Sequence, residues 1–367
     1  MIFVCSTRSN TTATSAYTHR VVQLERQCKK LGVDTELMFL GDYFFGSPVL
    51  IQPMNAPSTV RHLSEFDVIH AGGNGAAYAV GLWKPLLKRR PILLYDIHGD
   101  VLEESRTLIR ERDIARSFSG FQMLLQEHVA IGRADYFIAA SMKLKQRILG
   151  RSSVKEDVIE VVPNGVDLEL FDSERTYEDS HSTCFTVTYA GSFLPWHGIE
   201  NLIDAGEMLD GCDIRLKIIG FKKNDSALKE SIRSRLGSKA ELVDWLPRGA
   251  LVAQLRQSDV LIIPADPRLQ KVRDVASPTK FAEYAALGKP IIVTTVDGIS
   301  ESVRDFDCGI VCDPTSESIA SAIRQARDMP KENLLRKGEN ARRLAEEQFD
   351  MDEIGDRYVK FLKRICS

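Results

Sequence analysis

Short apolar runs alternate along the chain with longer stretches whose apolar residues recur every three or four positions. The short runs predict buried strands and the long ones amphipathic helices. In the first half the predicted strands are residues 2–5, 36–40, 67–71, 91–96, 136–139 and 158–162. The second half repeats the rhythm at 186–190, 214–219, 241–243, 260–264, 290–294 and 309–312. Several runs, such as Ile2-Phe3-Val4-Cys5, are apolar throughout, as strands covered on both faces should be. Strand–helix alternation of this kind predicts an α/β chain with parallel sheets. Residues 172–182 are polar and without apolar periodicity, which makes them the best linker candidate. The expected organisation is two doubly wound, Rossmann-like domains, 1–172 and 173–349. A helix over 350–367 is expected to pack back on the first domain.

Composition narrows the class without choosing a function. The chain has 367 residues, 44% hydrophobic and 27% charged, which excludes a disordered, collagenous or coiled-coil protein. Seven scattered cysteines fit reduced thiols in a cytoplasmic protein. Cys308 and Cys312 are closest together, but no second Cys or His pair stands at zinc-ligand spacing. No apolar run reaches the ~18–20 residues of a membrane helix, and the start reads as a strand and not a signal peptide. Residues 1–165 carry 20 Lys+Arg against 17 Asp+Glu, and the remainder 28 against 34, giving +3 and −6. That asymmetry is too small for a nucleic-acid partner. It permits the first half to approach an anionic membrane surface or a phosphorylated acceptor. Lys84, Lys88, Arg89 and Arg90, beside Trp83, read either as a peripheral anchor on anionic lipid or, more simply, as a solvated helix C-terminus.

Doubly wound sheets bind ligands beyond the carboxyl ends of their strands, so the strand-to-helix turns are the places to search for chemistry. Around residue 280, Ser277 is placed to cap a helix whose first position is Pro278. The amides of Thr279 and Lys280, with the Lys280 ammonium, would then face one spot and suit a phosphate. Glu283, about one turn later, could accept from a pair of sugar hydroxyls. A plain capped helix ending at Gly288 fits the same letters. Gly191-Ser192-Phe193 and Trp196-His197-Gly198 form a second such junction, and Pro163-Asn164-Gly165-Val166-Asp167 a tight turn before the linker.

In this order, Pro163 to Asp167, Gly191-Ser192-Phe193 and Glu283-Tyr284-Ala285-Ala286-Leu287-Gly288-Lys289-Pro290 resemble recurrent motifs of the retaining, GT-B fold glycosyltransferases of family 4. The resemblance implies two Rossmann-like domains facing each other across a cleft, with the donor held mainly by the second and the acceptor by the first. It puts Glu283 on the ribose hydroxyls and Ser277, Pro278, Thr279 and Lys280 on the diphosphate. Gly191, Ser192 and His197 line the donor turn; Phe221, Lys222, Trp245 and Leu246 flank the nucleobase. Tyr95-Asp96-Ile97-His98-Gly99 is similar to the strand end whose histidine reaches the donor sugar, which assigns that role to His98. Arg8, Asn10, Gly73 and Gly75 fall on the acceptor side.

Three departures from the family pattern stand out. Val275 occupies the position of the first acid of Glu-x7-Glu, with Asp274 adjacent. Ser192 and His197 replace a basic pair, so phosphate charge falls on Lys280 with Arg273 or Lys271. The loop Ser6-Thr7-Arg8-Ser9-Asn10 lacks a double glycine. The implied reaction moves a sugar from a UDP- or GDP-linked donor to a hydroxyl acceptor, lipid-linked acceptors included, with retention of configuration and without a cofactor or metal ion. Asp305-Phe306-Asp307 carries the letters of a metal motif but is expected on an exposed turn. Two other readings stay open: a non-catalytic GT-B scaffold subunit, and an NAD-dependent dehydrogenase built on Gly73-Asn74-Gly75. A paired-carboxylate hydrolase lacks two acids fixed across a cleft.

Overall fold

The computed structural model describes residues 1–6, 16–43, 56–110, 114–172, 184–209, 213–268, 279–296 and 298–367. The linker candidate at 173–182 lies outside the described residues. Each of the twelve predicted runs is a strand, its ends shifted by at most two residues. The chain divides into two compact units, one formed by Met1–Asn164 with Met351–Ser367, the other by the chain between them.

The first unit contains β1 (Ile2–Cys5), α1 (Ala16–Lys30), β2 (Glu36–Phe39), α2 (Leu40–Tyr43), α3 (Ala56–Leu63) and β3 (Val68–Gly72). These are followed by α4 (Gly73–Trp83), β4 (Ile92–Ile97), α5 (Val101–Arg110), α6 (Ile114–Arg133), β5 (Tyr136–Ala139), α7 (Met142–Arg151) and β6 (Ile159–Val161). The strands form one parallel sheet in the order β2-β1-β3-β4-β5-β6. Successive side chains alternate between its faces. Ile2 and Val4 enter one apolar cluster with Ile69, Leu93 and Phe137, while Phe3 and Cys5 enter another with Val21, Leu24 and Leu94.

The second unit contains β7 (Phe185–Ala190), α8 (Ile199–Glu207), β8 (Ile214–Phe221), α9 (Ser226–Leu236), β9 (Ala240–Asp244), α10 (Arg248–Arg256) and β10 (Val260–Ile263). It continues with α11 (Thr279–Ala286), β11 (Ile291–Thr294), α12 (Ile299–Asp305), β12 (Gly309–Cys312), α13 (Ser316–Arg327) and α14 (Lys331–Gln348). Its parallel sheet runs β12-β11-β10-β7-β8-β9, the dinucleotide-fold order, again with an apolar cluster on each face.

The last helix, α15 (Met351–Cys366), belongs to the first unit. Met351, Ile354, Tyr358, Val359, Phe361 and Leu362 close the cluster around Phe3 and Leu24. Lys30 and Gln27 of α1 both donate to Asp352 at its first turn, at 2.5 and 2.8 Å.

Strand order reverses direction between β1 and β3 in the first sheet and between β7 and β10 in the second. Loops leave such switch points in opposite directions and open a crevice at the strand ends. The turns after β3 and β7 carry Gly73-Asn74-Gly75 and Gly191-Ser192.

Candidate active site

In the second unit the centre of the site is the end of β7. Gly191 has a φ of +151°, and a Cβ added there would stand 2.7 Å from the Lys280 ammonium. Only a glycine allows the lysine of α11 to lie against this turn. Lys280 Nζ is 3.3 Å from the Tyr189 hydroxyl and 4.6 Å from the centre of its ring, an arrangement that steers the cation by a cation–π contact. Tyr189 donates to the Ser192 carbonyl at 2.6 Å, and His197 Nδ1 stands 2.6 Å from the same oxygen. The turn is therefore braced from both sides, with Ser192 exposed.

Glu283 lies one turn beyond Lys280 and is buried. Arg248, the first residue of α10, donates to its Oε1 at 2.6 Å and stacks 5.4 Å from the centre of the Phe171 ring. Burial raises the Glu283 pKa, while Arg248 and Lys280 oppose the rise. Next to it, Tyr284 accepts from the Ala190 amide at 2.8 Å and reaches the Ala190 carbonyl at 3.4 Å, tying α11 to the end of β7.

In the first unit a polar network lies under the end of β4. Asp96 is fully buried and receives Arg20 Nε at 3.0 Å, with His70 Nε2 at 3.2 Å and His98 Nε2 at 3.4 Å from its Oδ2. Burial alone would raise the Asp96 pKa, but Arg20, His98 and His70 together hold it well below the carboxylate range. Burial lowers the His98 pKa to about 4, against the pull of Asp96 and helped by Arg20 and His70. At neutral pH the site holds an ionised Asp96, a neutral His98 and the Arg20 guanidinium. Nearby, Gly73 adopts a φ of +80°, and a Cβ on Gly75 would meet Ser6 at 3.2 Å, so β1 and β3 end side by side.

A family model described as glycosyl transferases group 1 matches residues 172–344, and one described as Glycosyltransferase Family 4 matches residues 18–170. The chain belongs to the family 4, group 1 glycosyltransferases. A capsular polysaccharide biosynthesis glycosyltransferase, CapM of Staphylococcus aureus, is 23% identical over 329 residues, covering 79% of this chain and 76% of that one. The fold resembles that of sucrose-phosphate synthase from Thermosynechococcus elongatus, with a TM-score of 0.76 at 17% identity over 99% of this chain and 98% of that one. Anabaena HepE, solved in complex with UDP and glucose, has a TM-score of 0.72 at 16% identity over 99% of both chains. The two-sheet architecture is the GT-B fold.

Within this glycosyltransferase the structure brings Gly191, Ser192, His197, Lys280 and Glu283 together on the second unit, with Thr279 opening α11. It puts His98, Gly73 and Gly75 at strand ends of the first. Phe221 is a correction: its ring is 2% exposed and stacks on Phe193 at 4.5 Å in the core, so it offers no open face to a base. Lys222 beside it is exposed, Trp245 is 38% exposed, and Leu246 packs partly against the core. Arg8, Asn10, Lys271, Arg273, Asp274, Val275, Ser277 and Pro278 lie outside the described residues. Asp307 sits on an exposed turn with a φ of +49°, paired with Arg336 and Lys337.

Sequence reasoning missed Arg20, His70, Tyr358 and Arg248. The signals for two of them were present. Arg20 shares a helical stripe with Leu24 and Cys28, both fully buried, which marks an arginine facing the core. His70 is the polar residue inside the apolar strand Val68-Ile69-His70-Ala71. Among the described residues no helix is long and apolar enough to cross a membrane.

Proposed function

We propose that this glycosyltransferase transfers a hexosyl group from a nucleoside diphosphate sugar to a hydroxyl of a glycan acceptor, with retention of configuration. The observation that carries the reading is Lys280, seated at the start of α11 against Gly191 and Tyr189, with buried Glu283 one turn behind. A helix start and an ammonium facing one turn suit a diphosphate, and a buried carboxylate beside them suits a ribose diol. As the bond from the anomeric carbon to the phosphate oxygen breaks, negative charge grows on the diphosphate. Preorganised amides and Lys280 stabilise that charge more in the transition state than in the ground state. The acceptor oxygen bonds to the same face of the anomeric carbon, and its proton passes to the departing phosphate oxygen. His98, neutral, orients the sugar. Backbone dipoles and Lys280 carry the charge stabilisation, so the proposed reaction needs no metal ion. The UDP and glucose bound by HepE, and the capsular role of CapM, favour a UDP-linked hexose and a polysaccharide or glycolipid acceptor at the cytoplasmic face of a membrane.

The test is thermal unfolding with UDP, GDP, ADP, CMP and NAD. A ligand at about 100 times its Kd adds about 2.7 kcal/mol, or roughly 5–10 °C for a unit of this size. A rise with UDP or GDP that Lys280→Ala removes supports the transferase and identifies the base. A rise with NAD alone revives the dehydrogenase, and no rise at all favours a non-catalytic subunit.

A further inference from the structure

Arg248 stands where helix energetics alone would not put it. It is the first residue of α10, at the positive end of the helix dipole, where a cation is disfavoured. Its neighbours in space supply the reason. One terminal nitrogen donates to Glu283 Oε1 at 2.6 Å, and the guanidinium carbon lies 5.4 Å from the centre of the Phe171 ring, within cation–π range. Phe171 is fully buried. Its carbonyl accepts from Arg342 at 2.8 Å, and the same Arg342 nitrogen donates to the Ala286 carbonyl, also at 2.8 Å. The ring under the guanidinium is thus tied to the end of α11, the helix that carries Glu283.

The pairing uses one oxygen of the carboxylate and spares the other. Among the described residues nothing donates to Glu283 Oε2, and the side chain keeps 12% of its surface open. Lys280, the other cation that bears on Glu283, has its ammonium against the Tyr189 hydroxyl. Tyr284, next along α11, spends its own hydroxyl on Ala190. An ionised carboxylate has about four acceptor sites. A diol can therefore bond to Oε2 while Arg248 keeps Oε1.

Burial works against the ionised form of Glu283, and Arg248 and Lys280 work for it. Of the two cations, only Arg248 makes a hydrogen bond to the carboxylate. Without that bond the buried carboxyl takes up its proton at a higher pH, and no donor fixes its orientation. A protonated carboxyl then presents a donor where the diol also brings donors.

We propose that Arg248 is a positioning residue for the ribose of the donor: it occupies Oε1 of Glu283 and leaves Oε2, in one orientation, to accept from the ribose hydroxyls. The ribose rests on the transferase reading above; the hold of Arg248 on Glu283 does not. The consequence is one of specificity. Arg248 supports the recognition of hydroxyls and not of phosphate, so its loss is felt by ligands that carry those hydroxyls.

The experiment has two arms on the full chain. Carboxyl 13C spectra of glutamate-labelled protein, assigned with Glu283→Gln, follow the Glu283 titration without any ligand. Calorimetry measures the Kd of UDP and of its 2′,3′-dideoxy analogue, and of the same pair of guanosine nucleotides. Glu283 should be ionised at neutral pH in the wild type and should take its proton at a higher pH in Arg248→Gln. With both ribose hydroxyls bonded to a charged group, the wild type should bind the ribonucleotide about a hundredfold more tightly than the analogue. In Arg248→Gln that ratio should fall about tenfold, while the Kd of the analogue changes by less than about threefold. In a Glu283→Gln background, Arg248→Gln should alter the ratio no further, because the two act through one group. A Glu283 that titrates alike in the wild type and a folded Arg248→Gln protein overturns the proposal. So does an affinity loss shared equally by the ribonucleotide and its analogue, which marks a merely structural arginine. If the wild type binds neither UDP nor GDP, the transferase reading is at fault, and the titration still decides whether Arg248 holds Glu283. Should Arg248→Gln not fold, Arg248→Met keeps the apolar stem over Phe171 and takes its place. A wild-type Glu283 already protonated at neutral pH overturns the proposal by itself.

Discussion

Replacing Tyr284 by Phe removes one oxygen and tests how α11 is fastened to the donor turn. In a parallel ladder, alternate residues of a strand bond to opposite neighbours. Gly191 N–H bonds to the Ile219 carbonyl on the β8 side, so Ala190 faces the β10 side. There the register pairs Val260 with Val187 and Leu261 with Thr188 and goes no further along β7. The Ala190 amide and carbonyl therefore have no strand partner, and the Tyr284 hydroxyl serves both, at 2.8 and 3.4 Å. Phenylalanine keeps the ring and leaves no cavity, so the loss is that of the hydrogen bonds alone. A buried amide left unsatisfied costs about 1–3 kcal/mol, and the long bond to the carbonyl adds little. We expect about 2 kcal/mol, or a fall in Tm of roughly 4–8 °C. Urea unfolding followed by far-UV circular dichroism measures it, with an unchanged m-value showing that only stability moved. A loss below about 0.5 kcal/mol would mean that water or a shifted backbone satisfies Ala190, and the fastening argument would be wrong.

Acid should weaken the first unit through His98. The unfolded chain binds a proton at the ordinary imidazole value of 6.5, which the folded chain refuses until about 4, so stability falls as pH drops through that window. The fall has a slope of up to about 1.4 kcal/mol per pH unit. His98→Gln should flatten it in urea midpoints taken from pH 7 to 4, and an unchanged slope counts against the buried neutral imidazole. Gly198 and Gly32 make a contrasting pair, with φ of +67° and +79°. Alanine at 198 would drive its Cβ into the Pro264 carbonyl, whereas at 32 it meets nothing within 4 Å. Gly198→Ala should cost about 2–5 kcal/mol from strain and overlap together, and Gly32→Ala about 1–2 kcal/mol from strain alone. Equal losses in a denaturant series would contradict the close approach at 198.

The period of the apolar residues determined the elements of this protein. All-apolar runs of four to six residues have no stable place except a strand covered on both faces, so β1, β10 and β11 followed from their letters. The end of a strand before a glycine turn was legible for the same local reason and marked Gly191; the helix start after Pro278 marked Lys280 and Glu283, and the family resemblance picked out His98. Tertiary structure alone decided which polar groups meet. Arg20 meets Asp96 across 76 positions of the chain and His70 meets Tyr358 across 288, and nothing local relates them. Their pairing follows from the cost of burying charge, which is offset only by partners in space. Phe221 shows the converse. The family resemblance set it beside the nucleobase, but β8 runs on to include it, and a bulge at Gly220, between Ile219 and Phe221, turns its ring to the face of Ile218, against Phe193. Local sequence sets the period of a strand, whereas the face each residue presents depends on where pairing stops, and that is a property of the neighbouring strands.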